Sequence, residues 1–220
     1  MGHVQTINRA PIYRDEDEDF EYTFHPVEDS ITITETEEGF EARYLVQDDN
    51  PFSPDEGGDD DNLFLVHYHR DFDVRRDKII TKDDLVNWYR EDFDEYKDDP
   101  TDENEVGKFP LEATYHIFPV AAYIHGGVRL SLGSGSHFPD QNWDVSHVGA
   151  VLVSKDEWPD AGKARDAAEG LVETWNQYLS GDVYGIVKET YDKDKIQVDQ
   201  ESVWGFYGHK YALEALKTDI

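Results

Sequence analysis

Fifty Asp and Glu residues stand against only 20 Lys and Arg in this 220-residue chain, a formal net charge of -30 that limits what can fold. A compact domain with so many uncompensated negatives repels itself, which favours solubility and opposes the compact state. Molar salt offsets that repulsion. The Debye length falls from about 10 Å at 0.1 M to about 3 Å at 1 M, so neighbouring carboxylates largely cease to sense one another. The acids, 30 Asp and 20 Glu, run through every candidate helix and loop instead of collecting in one tail. That dispersal reads as a whole-surface adaptation to a salty, halophilic interior. The competing reading is a nucleic-acid mimic whose carboxylates imitate a phosphate ladder. Direct DNA binding and binding to an anionic membrane are not expected, because phosphate contacts come from clustered Lys and Arg, and Arg75-Arg76 is the one basic pair.

A core is nevertheless affordable. A chain of this length buries roughly 70% of its unfolded surface on folding. Leu, Ile, Val and Phe supply 52 residues, and five Trp and 13 Tyr add to them. That apolar share lies above the level of about 20% below which high charge predicts disorder. Cysteine is absent, which removes disulfides, thiolate zinc sites and cysteine nucleophiles from consideration. The first 19 residues contain no apolar signal region, and no apolar run reaches 18 residues, so the expected location is cytoplasmic, with no membrane partner.

Along the chain, residues 1–30 read as an acidic N-terminal arm and residues 31–220 as a single α+β domain. ITITETEE from Ile31 alternates at period two and GFEARYLVQ follows a Glu-Gly turn, which predicts a hairpin. Residues 48–62 carry two prolines, a Gly-Gly pair and a run of acids, and predict a loop before the strand LFLVHYHR. A helix is expected from Thr81, where Thr-x-x-Asp resembles a capping box and Leu85, Tyr89, Phe93 and Tyr96 recur at helical spacing. FPVAAYIHGG, VRLSL and HVGAVLVSK predict further strands. A second helix is expected from about Pro159 to Leu179, with Ala164, Ala168, Leu171, Trp175 and Tyr178 as its buried stripe and Gly181 ending it. DVYGIVKETYD, IQVDQESVWGFYG and a short helix from His209 complete the chain. Short turns between strands and two main helices predict a largely antiparallel sheet packed by those helices.

The candidate chemistry rests on histidine. His67 and His69 stand two apart on a predicted strand, so their rings leave one face and together could chelate a divalent metal. A catalytic zinc needs a third protein ligand and an open position. His116, His125, His137, His147, Asp71, Asp73 and Asp144 are the available third ligands, and Asp144 with His67 and His69 forms the preferred set. The competing reading is one packed histidine and one solvated or paired with an acid. The loop from Asp55 to Asp61 lacks the order of a calcium hand, and a solvated loop explains it. Gly133 to Ser136, GSGS, lies between strands without the lysine or following helix of a phosphate cradle.

Four blocks resemble a family of uncharacterised proteins encoded by tailed viruses and integrated mobile elements of bacteria and archaea. They are SPDEGGDDDNLFLVHYHRDF from Ser53, PVAAYIHGGVRLS from Pro119, NWDVSHVGAVLVSK from Asn142, and ETWNQYLSGDVYGIVKE from Glu173 continuing to SVWGFYG at Ser202. Asp144 and Ser146 are separated by Val145, and His147 takes a place more usually small or polar; these are the departures. The resemblance implies a genetic context and no mechanism. It also marks His69, Arg70, His125, Trp143, Asp144, Trp204 and Tyr207 as candidates for a ligand cleft, since polar groups beside aromatics at strand ends serve such a cleft. Tight packing at the sheet end is the other use of the same residues. The expectation is a cytoplasmic accessory protein of a virus or mobile element acting through a protein partner, in nucleic-acid metabolism or host defence. A metal-dependent hydrolase, a virion component and a homo-oligomer are the alternatives.

Overall fold

The computed structural model describes residues 24–55, 62–67, 111–135, 138 and 145–218. The helix expected from Thr81 lies outside the described residues, as does the acidic arm before Phe24. The fold is α+β with antiparallel sheets, and the strands divide into two four-stranded sheets. Contacts group the chain into two compact units, Met1–Pro51 with Gly181–Ile220, and Phe52–Ser180.

In the first unit the strands are β1 (Thr32–Glu35), β2 (Gly39–Gln47), β7 (Val183–Asp192) and β8 (Gln197–Tyr207), in the order β1-β2-β7-β8. The expected hairpin is β1 and β2, paired from Thr32 opposite Arg43 to Glu35 opposite Phe40. Gly39 is required where β2 meets the end of β7, since a Cβ there would stand 1.9 Å from the Tyr191 carbonyl oxygen. Beyond the start of β1, a 3₁₀ turn at Glu28–Ser30 carries the pairing on. Val27 N donates to Leu45 O at 2.8 Å and Leu45 N donates to Ser30 Oγ at 2.8 Å.

Period-two alternation gives this sheet two apolar faces. Leu45 and Ile186 pack with Ala212 and Leu216 around the C-terminal helix α3 (His209–Ala215), while Tyr44, Val46 and Val187 pack with Phe24 and Ile31. Each fully buried aliphatic side chain here is worth about 1.5–3 kcal/mol relative to exposure. Asp182 starts α3, accepting from Gly208 N through its carbonyl and from His209 N through Oδ1.

The second unit holds β3 (Leu63–His67), a single helical turn α1 (Leu111–Thr114), β4 (Tyr115–Ile124), β5 (Val128–Leu132), β6 (Val145–Ser154) and the long helix α2 (Ala161–Ser180). Its sheet runs β3-β6-β4-β5. A bulge at Val120/Ala121 lets Val148 join Val120, Leu130, Val151 and Val153 beneath α2. Helix α2 begins where Asp160 Oδ1 accepts from Lys163 N at 2.9 Å and ends before Gly181, whose φ of 73° suits glycine. Ala164, Ala168 and Trp175 are buried as expected. Val172 joins them in full burial, while Leu171 and Tyr178 pack at the margin, so the stripe centres one residue from its predicted line.

Candidate functional site

The predicted metal pair divides between described and undescribed chain. His67 ends β3, 3% exposed, packed edge-on to Trp175 with ring centroids 6.1 Å apart. Leu65, Leu130, Val148 and Trp175 close around it and leave no room for a water molecule. Opposite it, Gly149 brings β6 so close that a Cβ would stand 2.0 Å from Val66 O. Among the described residues the lining is apolar, which suits a packed imidazole. His69, Arg70, Asp71, Asp73, His137, Trp143 and Asp144 lie outside the described residues. Among the described residues, no three His, Asp or Glu side chains gather closely enough to hold a metal.

The other histidines go separate ways. His116 donates from Nε2 to the Trp158 carbonyl at 2.9 Å. His125 sits exposed in the β4–β5 turn, stacked on Tyr123 at 6.1 Å. His67 pairs with Gly149 and Gly149 with Val120, so His125 lies five residues further along β4, roughly 16 Å on at strand rise. In the Gly133–Ser134–Gly135 turn, the space a Cβ on Gly135 would need is taken by Val145, Ala121 and Phe138. That glycine run is therefore a packed chain reversal.

Trp204 and Tyr207 share β8. Tyr207 ends the strand opposite Val183. Trp204 lies against Gly185, 5.8 Å from the Phe24 ring, with its Nε1 donating to Ser202 Oγ at 3.1 Å. The indole is 39% exposed; its chain neighbour Val203 is 40% exposed, and Val198 and Ile196, at the other end of the strand, are 60% and 55% exposed.

Hydrogen-bond phase shows which backbone groups β8 turns outward. Asp192 N donates to Ile196 O and Gly208 N to Asp182 O, while Asp48 N donates to Val183 O. Even-numbered residues of β7 therefore face β8 and odd-numbered ones face β2. Asp199, Glu201 and Val203, opposite Thr190, Lys188 and Ile186, bond inward. The N–H and C=O groups of Gln200 and Ser202 point to the outer edge, where the described residues place no further strand; Gln200 N donates there to the side chain of its neighbour, Asp199 Oδ1, at 2.9 Å.

Two polar arrangements support the two sheets, and neither was read from the sequence. Glu189, 3% exposed, accepts from Tyr44 Oη at 2.8 Å and from Tyr191 Oη at 2.7 Å. Burial first, then the Glu189 carboxylate, raises both phenols far above their ordinary 10, so both remain donors at any working pH. In the second unit, Asn176 of α2 reaches the outer strand β5: Leu130 N donates to its Oδ1 at 2.7 Å and its Nδ2 donates to Leu130 O at 3.0 Å. The amide thus occupies edge positions that another strand would use. The available signal was an amide immediately after Trp175 on the buried stripe, where a half-buried polar group needs a partner.

Among the described residues, no helix is long and apolar enough to cross a membrane. No protein-family profile matches the chain, and neither a curated protein nor a solved structure is detectably similar to it.

Proposed function

We propose that this chain is a protein-interaction module that docks a partner by strand addition along β8, and that it serves a virus or integrated element as an accessory protein in a high-salt cytoplasm. One observation carries the docking mode: β8 is an eleven-residue outer strand exposed along most of its length. The other three outer strands are poorly suited. β1 has four residues, β3 is buried over four of its five, and β5 is occupied at Leu130 by Asn176. An open sheet edge is a template for main-chain hydrogen bonding, and side chains on its two faces add selectivity.

The accessory role in nucleic-acid metabolism or defence rests on the family resemblance, and the high-salt setting on the dispersed acidity. A hydrolase built on His67 gains no support from its enclosed surroundings. A virion role predicts the protein in purified particles.

Capture from host extract with Ser202→Pro tests the docking mode. Proline removes an outward N–H and leaves the inward bonds of β8 in place. A partner retained by the wild-type chain and lost by a folded Ser202→Pro variant supports the reading. Equal capture by both would place the interaction elsewhere.

A further inference from the structure

We propose that the segment docking on β8 is short and basic, about five residues in which Lys or Arg alternates with β-branched residues. This rests on the reading of β8 as a docking edge and adds the chemistry of its occupant.

Length follows from the irregularities that bracket the strand. Register shifts at Tyr184/Ile186 and at Thr190/Tyr191 leave one regular stretch, Asp199–Val203 opposite Thr190–Ile186. Bulges bend a strand and interrupt its ladder, so an added strand finds unbroken geometry over these five residues. Within them the outward hydrogen-bonding groups belong to Gln200 and Ser202.

Charge follows from the two faces. Asp199 and Glu201 project from one face, both exposed; Lys188 is paired with Glu201, and Asp199 Oδ1 accepts from Gln200 N, so Asp199 has no cation among its contacts with the described residues. Residues two apart on an incoming strand lie beside these two carboxylates, and opposite charges across strands are favourable where like charges repel. The other face carries Gln200, Ser202 and the half-exposed indole of Trp204, which suits a β-branched side chain.

A second copy is less suitable. Antiparallel self-pairing about Ser202 sets Asp199 against Gly205 and Glu201 against Val203, which brings no cation to either carboxylate.

The test is binding of fluorescent peptides to the full-length folded protein, reading anisotropy at several KCl concentrations. The probes are Lys-Val-Lys-Val-Lys, Ser-Val-Ser-Val-Ser and Glu-Val-Glu-Val-Glu cores with neutral flanks. The expected result is at least about tenfold tighter binding of the basic peptide than of the acidic one, with the neutral peptide between. Asp199→Asn and Glu201→Gln should each weaken the basic peptide about two- to fivefold, and Ser202→Pro should abolish its binding. Neutral and basic peptides binding equally, both lost in Ser202→Pro, would overturn the charge assignment while leaving the docking edge intact. A dimer in sedimentation that Ser202→Pro dissociates would overturn it in favour of a second copy. Basic-peptide binding unchanged by Ser202→Pro would overturn it, and partner capture equally unaffected by that substitution would remove the docking reading as well.

Discussion

Trp204 lies against Gly185 so closely that a Cβ built on the glycine would stand 2.4 Å from the indole Cε3. The missing side chain on β7 is what seats the indole on β8 with one side still open to solvent. Gly185→Ala must displace the ring or the backbone, and overpacking of this kind costs about 1–3 kcal/mol. Denaturant unfolding in high salt should show that loss, and the peptide affinity of the β8 edge should fall with it. Wild-type stability in the variant would show that the indole moves aside at no cost.

Glu189 is held by two tyrosine hydroxyls, so removal of either donor leaves a buried carboxylate partly unsatisfied. Tyr44→Phe should destabilise the protein by about 1.5–3 kcal/mol, the range for hydrogen bonds to charged groups. The same pair predicts alkaline behaviour. Both phenols have folded values raised above 10, so their contribution is complete below pH 10. It is lost as the pH rises above that point, because the unfolded phenols ionise first. Melting temperatures should fall above pH 10, and less steeply in a Tyr44→Phe/Tyr191→Phe double variant.

Asn176 fixes β5 through both backbone groups of Leu130. Asn176→Leu leaves those groups without the amide and should cost about 1–3 kcal/mol. It also opens a sheet edge, so size-exclusion chromatography should show self-association absent from the wild-type chain. Asn176→Asp should destabilise further above pH 5, where a carboxylate faces the Leu130 carbonyl.

Salt dependence follows from the charge of -30. Screening at molar KCl weakens carboxylate repulsion, so the denaturation midpoint should rise steadily from 0.2 M to 2 M KCl. A midpoint independent of salt would contradict the halophilic reading.

Strands and helix α2 were legible because they depend on local pattern. ITITETEE, GFEARYLVQ and VYGIVKETY carry their alternation openly, and Ala164, Ala168, Trp175 and Gly181 mark α2 and its end; the Asp160 cap is seen only in the structure. The division of strands between two sheets depends on long-range pairing, such as β2 with β7, which no local window contains. His67 reads as half of a metal pair because its strand period places it beside His69, which lies outside the described residues. Its enclosure by Leu65, Leu130, Val148 and Trp175 comes from four separate elements. Trp204 was singled out with Tyr207 by family resemblance. Its place on an outer strand follows only once β8 is seen to pair on one side alone.

The most direct test is residue-resolved amide exchange along β8, measured on the protein by itself and with the Lys-Val and Ser-Val peptides. Rapid exchange is expected at Ser202, intermediate exchange at Gln200, whose N–H donates to Asp199 Oδ1, and slow exchange at Asp199, Glu201 and Val203 in the protein alone. A bound peptide should add protection at Gln200 and Ser202. Slow exchange at Ser202 before any peptide is added, or peptide protection confined to another strand, would contradict the docking edge.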